Sequence, residues 1–292
     1  MADSFLNSMT ANGITPHQHF NVIADGHIHR FHVTGDKPGT QNGWYVLHFD
    51  ETPYGVYGSW RTGETKTWRL HGQCSLSPFE RTAVNHRLTE ARLDRSVTLE
   101  ARQASAAKRA SEIWNNSVPA NPDHPYLSKK RISRHCARQR KSQLVLPIFD
   151  FVSKRLTSLQ FIDSEGNKKL LTAGKKSGCV IPVAGRMPDV SRVLICEGFA
   201  TGASLAQIEP QSLVLAAIDA GNLHTVAIAA RKRWSDIELV ICADADPVGV
   251  AKGRKAAIAA DAQVAIPQFP EGLEGSDWND YIAADFGEVA DV

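Results

Sequence analysis

The chain has 292 residues, which is enough for one large domain or two of ordinary size with apolar cores. Its formal net charge of +2 excludes a strongly basic or acidic chain overall, and its five cysteines lack C-x-x-C spacing, so neither a cysteine zinc site nor a disulfide framework is indicated. No signal-peptide pattern opens the chain, and no apolar run approaches a membrane span of about 20 residues. We therefore expect a cytoplasmic protein with no membrane partner.

Although the net charge is small, the charged residues are unevenly distributed. Residues 81–141 contain 14 Lys and Arg against 5 Asp and Glu, whereas residues 244–292 contain 3 against 10. A basic middle and an acidic end suit a protein that binds phosphates in one place and cations in another. Solvated helix faces would give the same counts, so charge alone does not distinguish binding surfaces from ordinary exposed helices.

The first part of the chain, residues 1–76, is predicted to be a small strand-rich region. The stretches IHRFHV, GWYVLHFD and YGVYGSW are typical of short strands separated by turns. Six histidines of this region invite a metal hypothesis, but no cysteine lies near them; they are His17, His19, His27, His29, His32 and His48. We therefore expect surface or core histidines here and no zinc.

Residues 77–190 are predicted to form a helical lead-in followed by a mixed α+β subdomain. No Gly or Pro occurs between Pro78 and Pro119, which permits a long helix from about residue 78 to 116. The stretch NPDHPYLSKKRI indicates a turn followed by a short basic helix. LVLPIFD, LTSLQFID and GCVIPVAG are typical of strands, and the turns between the last two carry pairs of lysines.

In residues 191–292, strand-like and helix-like stretches alternate. VLICEG, LVLAAID, ELVICADAD and AQVAIPQF are typical of buried strands, and a helical pattern follows each of the first three. This order predicts an α/β domain whose mostly parallel sheet is flanked by helices. The predicted fold class is therefore α/β, with this domain preceded by the mixed α+β subdomain and the strand-rich N-terminal region.

Acidic residues follow two strands of the predicted parallel sheet. Glu197 ends VLICEG, and Asp244 and Asp246 end ELVICADAD. A third acidic point, SDWND, follows the VAIP strand and contains Asp277 and Asp280. Since function collects at the carboxyl ends of strands in such sheets, we expect these carboxylates to meet. Clustered carboxylates repel unless they are protonated or bridged by cations, and oxygen-only ligands favour Mg²⁺ or Mn²⁺.

The acidic motifs resemble those of a known family. LICEGFATGASL, VICADAD and SDWNDY are similar to the three motifs of TOPRIM domains, in the form found in primases of phages, plasmids and integrated elements. Upstream, the segment from LVLPIFD to KKSGC resembles the first half of a primase polymerase core. ASEIWNNSVPANPDHPYLSKKRI resembles the helical lead-in, and DGHIHRF with GWYVLHFDETPYGVYGSW resembles the N-terminal region of the same primases. The resemblance implies a C-terminal TOPRIM catalytic domain.

The resemblance also implies roles for individual residues. Glu197 would be a general acid or base, or a metal ligand, and Asp244 and Asp246 would bind divalent ions as catalytic residues. Asp277 would be a further metal ligand. Asn279 and Asp280 would be secondary members of the site. Asn279 and Thr201 stand where relatives carry carboxylates, which reduces the negative charge of the site.

The implied reaction is synthesis of short primers on single-stranded DNA by divalent-metal-dependent nucleotidyl transfer. Metal ions would neutralise the triphosphate and make the attacking 3′-hydroxyl easier to ionise. Lysines in the two basic turns would hold incoming nucleoside triphosphates or template; they are Lys168, Lys169, Lys175 and Lys176. The basic segment 81–141 would follow template phosphates, and a replicative helicase is a further partner to expect.

Two other functions stay open on the sequence alone. A TOPRIM nuclease would use the same carboxylates to hydrolyse a phosphodiester. A non-catalytic module would only bind DNA or nucleotides among replication proteins. The chain has no G-x-x-x-x-G-K-[ST] motif, so it encodes no P-loop helicase or ATPase.

Overall fold

The computed structural model describes residues 1–17, 20–49, 53–70, 78–185, 190–272 and 274–285. The chain divides into two compact units, Met1–Glu90 and Ala91–Val292. The division predicted at residues 76 and 190 stays a prediction. No helix in the described ranges is both long and apolar enough to cross a bilayer.

The first unit is a helix packed on one face of an antiparallel sheet. It contains α1 (Ala2–Ala11), β1 (His29–Phe31), β2 (Gly43–His48), β3 (Tyr54–Ser59) and β4 (Thr65–Arg69), and the strands pair in that order. Burial alternates along β2, so Tyr45 and Leu47 face a core that they form with Phe5 and Met9 of α1. The strand-rich N-terminal prediction is confirmed, whereas the sequence patterns did not indicate α1.

The long basic helix is present as α2 (Pro78–Asn115), close to its predicted bounds. After it come the elements of the lead-in and subdomain: β5 (Val118–Pro119), α3 (Pro125–Lys130), β6 (Arg138–Arg140), β7 (Gln143–Asp150), β8 (Leu156–Ile162), β9 (Lys168–Leu170) and β10 (Cys179–Ala184). The C-terminal elements are β11 (Arg192–Cys196), α4 (Phe199–Ile208), β12 (Leu213–Ala216), α5 (Ala220–Arg233), β13 (Glu238–Cys242), α6 (Pro247–Ala259), β14 (Gln263–Ala265) and α7 (Trp278–Asp285).

One mixed sheet runs through the second unit. Its path is β14-β13-β11-β12-β10-β7-β6-β5, with β8 paired to β7 and β9 paired to β8. The four C-terminal strands are parallel, and β10 joins them antiparallel to β12. The α/β fold class, with a mostly parallel C-terminal sheet after an antiparallel part, is therefore confirmed.

Helices cover both faces of the parallel strands because successive strand residues face opposite sides. Leu194 packs in a core with Phe199 of α4. Its neighbour Val193 packs on the other side with Leu223 of α5 and Ala256 of α6. Strands buried on both faces are continuous apolar runs, which is why β11 and β13 could be recognised in the sequence.

The register of the parallel strands brings two acidic loops together. Cys196 ends β11 and is paired with Cys242, which ends β13. Glu197 directly follows the first strand, and Asp244 comes two residues after the second. Both loops therefore leave the same edge of the sheet, as the sequence analysis expected.

Candidate active site

A cavity of about 250 Å³ opens at this edge of the sheet. Glu197 and Asp244 line it from the ends of β11 and β13, and Asp277 lines it from the loop before α7. The full lining is Tyr126, Lys129, Lys130, Glu165, Gly166, Lys168, Glu197, Gly198, Ala200, Thr201, Ile218, Asp244 and Asp277. Four carboxylates, the fourth being that of Glu165, thus share one cavity with three lysines.

Asp244 is the most strongly perturbed of these carboxylates. Burial, together with the charges of Glu197, Asp277 and Asp246, raises the pKa of Asp244 to about 7. Its Oδ1 is one of the buried side-chain atoms without a hydrogen-bond partner in the described part of the chain. A buried carboxylate oxygen without a donor is unfavourable unless a proton or a cation occupies it.

Glu197 is perturbed in the same direction. Burial raises its pKa, the backbone N–H of Ala220 opposes the rise by hydrogen bonding, and the charges of Asp246 and Asp219 add to it. Two neighbouring carboxylates with raised pKa values are a recognised mark of a functional site.

Asp246, a predicted site carboxylate, also stabilises the start of a helix. Its Oδ1 accepts hydrogen bonds from the backbone N–H groups of Val248 at 2.8 Å and Gly249 at 3.0 Å, so Asp246 caps α6. Asp246 is not among the residues that line the cavity. Its carboxylate nevertheless acts on Glu197 and Asp244 through its charge.

The last acidic motif contributes one cavity carboxylate and two residues that hold the motif in place. Asp277 faces the cavity, and its Oδ1 accepts the backbone N–H of Asp280 at 2.8 Å. Asp280 in turn forms an ion pair with Lys130 at 3.2 Å. Asn279 is buried and donates its side-chain amide to the carbonyl of Lys130 at 2.7 Å and to Ser204 Oγ at 2.8 Å.

Of the four predicted lysines, Lys168 reaches the acidic cavity. Its Nζ lies 3.7 Å from the position that a Cβ atom on Gly198 would occupy, and its charge opposes the rise in the pKa values of Glu197 and Asp244. Lys169, the next residue of β9, is exposed and does not line the cavity.

The other two predicted lysines already have carboxylate partners. Lys175 forms an ion pair with Asp150 at 2.6 Å, and Lys176 forms one with Asp219 at 2.5 Å. Burial by itself would raise the pKa of Asp150, but the hydrogen bonds from Lys175 and Ser153 outweigh it and lower that pKa to about 2.

Sequence reasoning missed the α3 side of the cavity. Tyr126, Lys129 and Lys130 line it from a helix that the sequence analysis identified only as short and basic. Tyr126 is 3% exposed, its hydroxyl has no hydrogen-bond partner in the described ranges, and burial together with Asp277 raises its pKa to about 12. Gly166 passes close over its ring at a φ of +97°, where a Cβ atom would lie 3.4 Å from the ring.

The oxygen donors of the cavity are of the kind that a hard divalent cation prefers. Glu197, Asp244 and Asp277 offer only oxygen atoms, and Asp244 Oδ1 lacks a partner. Within the described ranges, however, no group of three His, Cys, Asp or Glu side chains is placed to hold a metal ion by itself. Mg²⁺ usually binds one or two carboxylates and completes its shell with water and substrate phosphate, so the two observations agree.

Comparison with known proteins gives the same assignment for this part of the chain. Residues 192–285 match the family model of the Toprim domain, and Toprim domains use divalent metal ions. The resemblance predicted from the three acidic motifs is therefore confirmed.

Two curated relatives extend the similarity upstream, and both are DNA primase TraC of Escherichia coli. One is 33% identical over 229 residues, which cover 77% of this chain and 16% of the relative. The other is 29% identical over 286 residues, which cover 92% of this chain and 27% of the relative. The chain thus spans between about a sixth and about a quarter of the length of these relatives.

Two solved primase structures match parts of the chain at low sequence identity. The primase fragment of the bacteriophage T7 primase-helicase protein gives a TM-score of 0.43 at 14% identity, over 55% of this chain and 69% of that one. The DnaG catalytic core gives a TM-score of 0.44 at 14% identity, over 63% of this chain and 78% of that one.

Proposed function

We propose that this chain, which carries a Toprim domain at residues 192–285, is a DNA primase that makes short primers on single-stranded DNA by nucleotidyl transfer. The proposal places it in the replication of plasmids, phages or other mobile elements in the cytoplasm. The observation that carries it is the cavity that the carboxylates of Glu197, Asp244 and Asp277 share with three lysines. That pairing suits a ligand with both a cation and phosphates, such as a metal-bound nucleoside triphosphate.

The proposed metal ligands are Asp244 and Asp277, with Glu197 beside them and Asp246 adding negative charge from the cap of α6. When bound, Mg²⁺ or Mn²⁺ would neutralise the triphosphate and make the attacking 3′-hydroxyl easier to ionise. The raised pKa values of Asp244 and Glu197 describe the protein without that charge. The resulting tendency to hold protons is the electrostatic demand that a cation would satisfy.

The proposed phosphate ligands are Lys168 and Lys129. Both line the cavity, and lysine holds phosphate as a compact point charge. Lys130 also lines the cavity, but its charge is shared with Asp280. Lys169, Lys175 and Lys176 lie outside this inner group and stay proposed ligands of the template.

Glu197 is the proposed proton acceptor for the attacking hydroxyl. Its carboxyl group lies at the carboxyl end of β11, and burial raises its pKa above the usual value of a glutamate, which makes the carboxylate a stronger base. The backbone N–H of Ala220 holds the carboxylate in place by a hydrogen bond. Lys168 and a bound cation would keep Glu197 ionised while the hydroxyl oxygen bonds to the α-phosphorus and pyrophosphate leaves.

A primer-synthesis assay tests the proposal directly. The chain is incubated with single-stranded DNA, labelled nucleoside triphosphates and Mg²⁺ or Mn²⁺, and the products are separated on a denaturing gel. New short oligomers are expected from the wild type and not from Asp244→Ala. Asp236→Asn, on the exposed loop before β13, is the matched control and should keep activity.

Each alternative function predicts a different gel. Shortening of the input strand without any need for nucleoside triphosphates would identify a nuclease that uses the same carboxylates. DNA binding without products from any variant, in either ion, would identify a binding module and overturn the assignment.

A further inference from the structure

The N-terminal sheet has an outer face that points away from the core it forms with α1. Burial alternates along β2, and the strand register places the outward side chains in cross-strand rows. The strand positions on this outer face are Arg30, Trp44, Val46, His48, Tyr54, Val56, Gly58, Thr65, Thr67 and Arg69. It is thus a surface of aromatic, β-branched and basic residues.

Two tryptophans and one arginine form a stack at one end of the outer face. The rings of Trp44 and Trp60 are 6.0 Å apart at an interplanar angle of 29°, and the guanidinium of Arg30 lies 4.6 Å from the Trp60 ring centre. Gly58, which is paired with Trp44, leaves room for this ring, because a Cβ atom there would lie 2.9 Å from it. The stack is therefore built into the strand pairing.

This stack is accessible and held in place. Trp60 is 49% exposed, and its backbone N–H donates to the carbonyl of Asn42 at 2.9 Å. Arg30 donates from Nε and Nη2 to the carbonyl of Gln41 at 3.2 and 2.9 Å, which fixes its guanidinium plane. An exposed, oriented indole beside an oriented guanidinium offers a flat surface with a positive charge next to it.

The charges of the outer face indicate which kind of ligand it can bind. Among the outer-face positions in the described strands, the charged residues are Arg30 and Arg69. These strand positions therefore carry two cations and no carboxylate. Arg61, beside Trp60, is paired with Asp36 and adds no net charge. A ligand with exposed flat rings joined by anionic groups matches this surface, and that is the chemistry of single-stranded nucleic acid. A duplex hides its ring faces between neighbouring base pairs and fits less well.

We propose that the outer face binds single-stranded nucleic acid, with a base stacked on Trp60 and a neighbouring phosphate at Arg30. The site lies in the first unit and is distinct from the acidic cavity. It gives the chain a way to hold a template that does not depend on the carboxylates. Binding should tolerate any sequence, because every base has a flat face and the surface offers few groups that read base edges.

Photo-crosslinking on the full chain locates this contact. Oligo(dT) that carries 5-iododeoxyuridine is irradiated with the protein in the absence of nucleoside triphosphates and divalent ions, and crosslinked peptides are identified by mass spectrometry. Crosslinks at Trp60 or Trp44 are expected. Crosslinks confined to the second unit would overturn the proposal. Because no catalysis is involved, this result is independent of the primer-synthesis assay.

Affinity measurements with matched variants test the roles of the residues. Trp60→Ala should weaken binding of labelled oligo(dT) by about 5- to 100-fold, and Trp60→Phe should recover part of the loss. Arg30→Ala should weaken binding and reduce its salt dependence. Lys66→Ala is the control, since Lys66 is exposed but paired with the core residue Tyr57, so it points to the opposite side.

The variants also separate nucleic acid from a protein ligand. Thermal melting establishes that each variant is folded, and Arg30→Ala tests the surface independently if Trp60→Ala is unstable. Unchanged affinity in folded Trp60→Ala and Arg30→Ala, or an equal loss in Lys66→Ala, would overturn the proposal. So would an intact affinity for oligo(dT) together with loss of binding to a replication protein.

Discussion

Asn279 donates its side-chain amide to Ser204 Oγ at 2.8 Å, and both residues are buried. Ser204 belongs to α4, the helix that follows Glu197, whereas Asn279 belongs to α7, the helix that follows Asp277. The same amide also donates to the carbonyl of Lys130 at 2.7 Å. One side chain thus joins the three segments that carry Glu197, Asp277 and the lysines of α3.

The first prediction concerns this amide. Asn279→Asp should lower the free energy of unfolding at pH 8 by about 2–4 kcal/mol, because a buried carboxylate cannot donate to the Lys130 carbonyl. Urea denaturation measures the loss. Asp280→Asn is the matched control on the same helix; it removes a half-exposed ion pair and should cost less than about 1 kcal/mol. An Asn279→Asp variant of normal stability that binds Mg²⁺ more tightly would instead make position 279 a metal ligand.

The second prediction concerns two adjacent lysines. Lys168→Ala should raise the KM for nucleoside triphosphates by about 10-fold or more, because it removes a cation that faces the phosphate site. Lys169→Ala removes the same charge from the opposite side of β9 and should change KM by less than about 2-fold. Steady-state kinetics on the two variants decide the matter. Equal effects of the two substitutions on KM would show that nucleoside triphosphates respond to the overall charge of β9 and not to the position of Lys168.

The closeness of Glu197 and Asp244 could be predicted from the sequence. Two apolar runs that end in acid, separated by helical patterns, predict parallel strands, and parallel strands end at the same edge of a sheet. The cap formed by Asp246 also had a local signal, since an Asp followed directly by Pro247 is typical of a helix start. Such features depend on a few neighbouring residues, which is why the sequence reveals them.

The α3 side of the cavity could not be predicted in the same way. Tyr126 and Lys129 lie far upstream of Glu197 in the chain, and their approach depends on how the antiparallel strands pack beside the parallel ones. The partners of Lys175 and Lys176 are likewise remote in sequence. A lysine in a turn therefore shows its charge in the sequence, but not whether Asp150 or Asp219 already neutralises it.

The third prediction concerns Lys175 and Asp150. Because hydrogen bonds lower the folded-state pKa of Asp150 to about 2 from 3.8, its ionised form stabilises the fold above the unfolded-state pKa. That contribution is lost as the pH falls through the folded-state value. Asp150→Asn should therefore be less stable than wild type by about 1 kcal/mol at pH 7, a small value because solvent around the partly exposed Lys175 screens the ion pair. This difference in stability should disappear near pH 2.

Chemical denaturation across this pH range measures the gap. Asp219→Asn serves as the comparison, because its ion pair with Lys176 is half-exposed on both sides and should contribute about 0.5 kcal/mol or less. A gap for Asp150→Asn that stays constant down to pH 2 would mean that its packing, and not its charge, stabilises the fold.

The fourth prediction concerns the pH dependence set by Asp244. Its pKa is about 7 in the folded protein and 3.8 as the ordinary value, so the folded state keeps a proton that the unfolded state releases. Stability from this group is complete below about pH 4 and is lost as the pH rises through about 7. The asparagine in Asp244→Asn cannot ionise, so this variant should not lose stability as the pH rises. At pH 8 it should therefore be more stable than wild type by about 2 kcal/mol.

Magnesium should reverse that difference. A cation at the carboxylates favours their ionised forms, so 10 mM MgCl₂, about the range that saturates a weak site, should raise the melting temperature of wild type at pH 8 and EDTA should reverse the rise. Asp244→Asn should respond less, and Asp236→Asn should respond like wild type because Asp236 lies on an exposed loop. Parallel pH–stability curves for wild type and Asp244→Asn would show that Asp244 titrates normally.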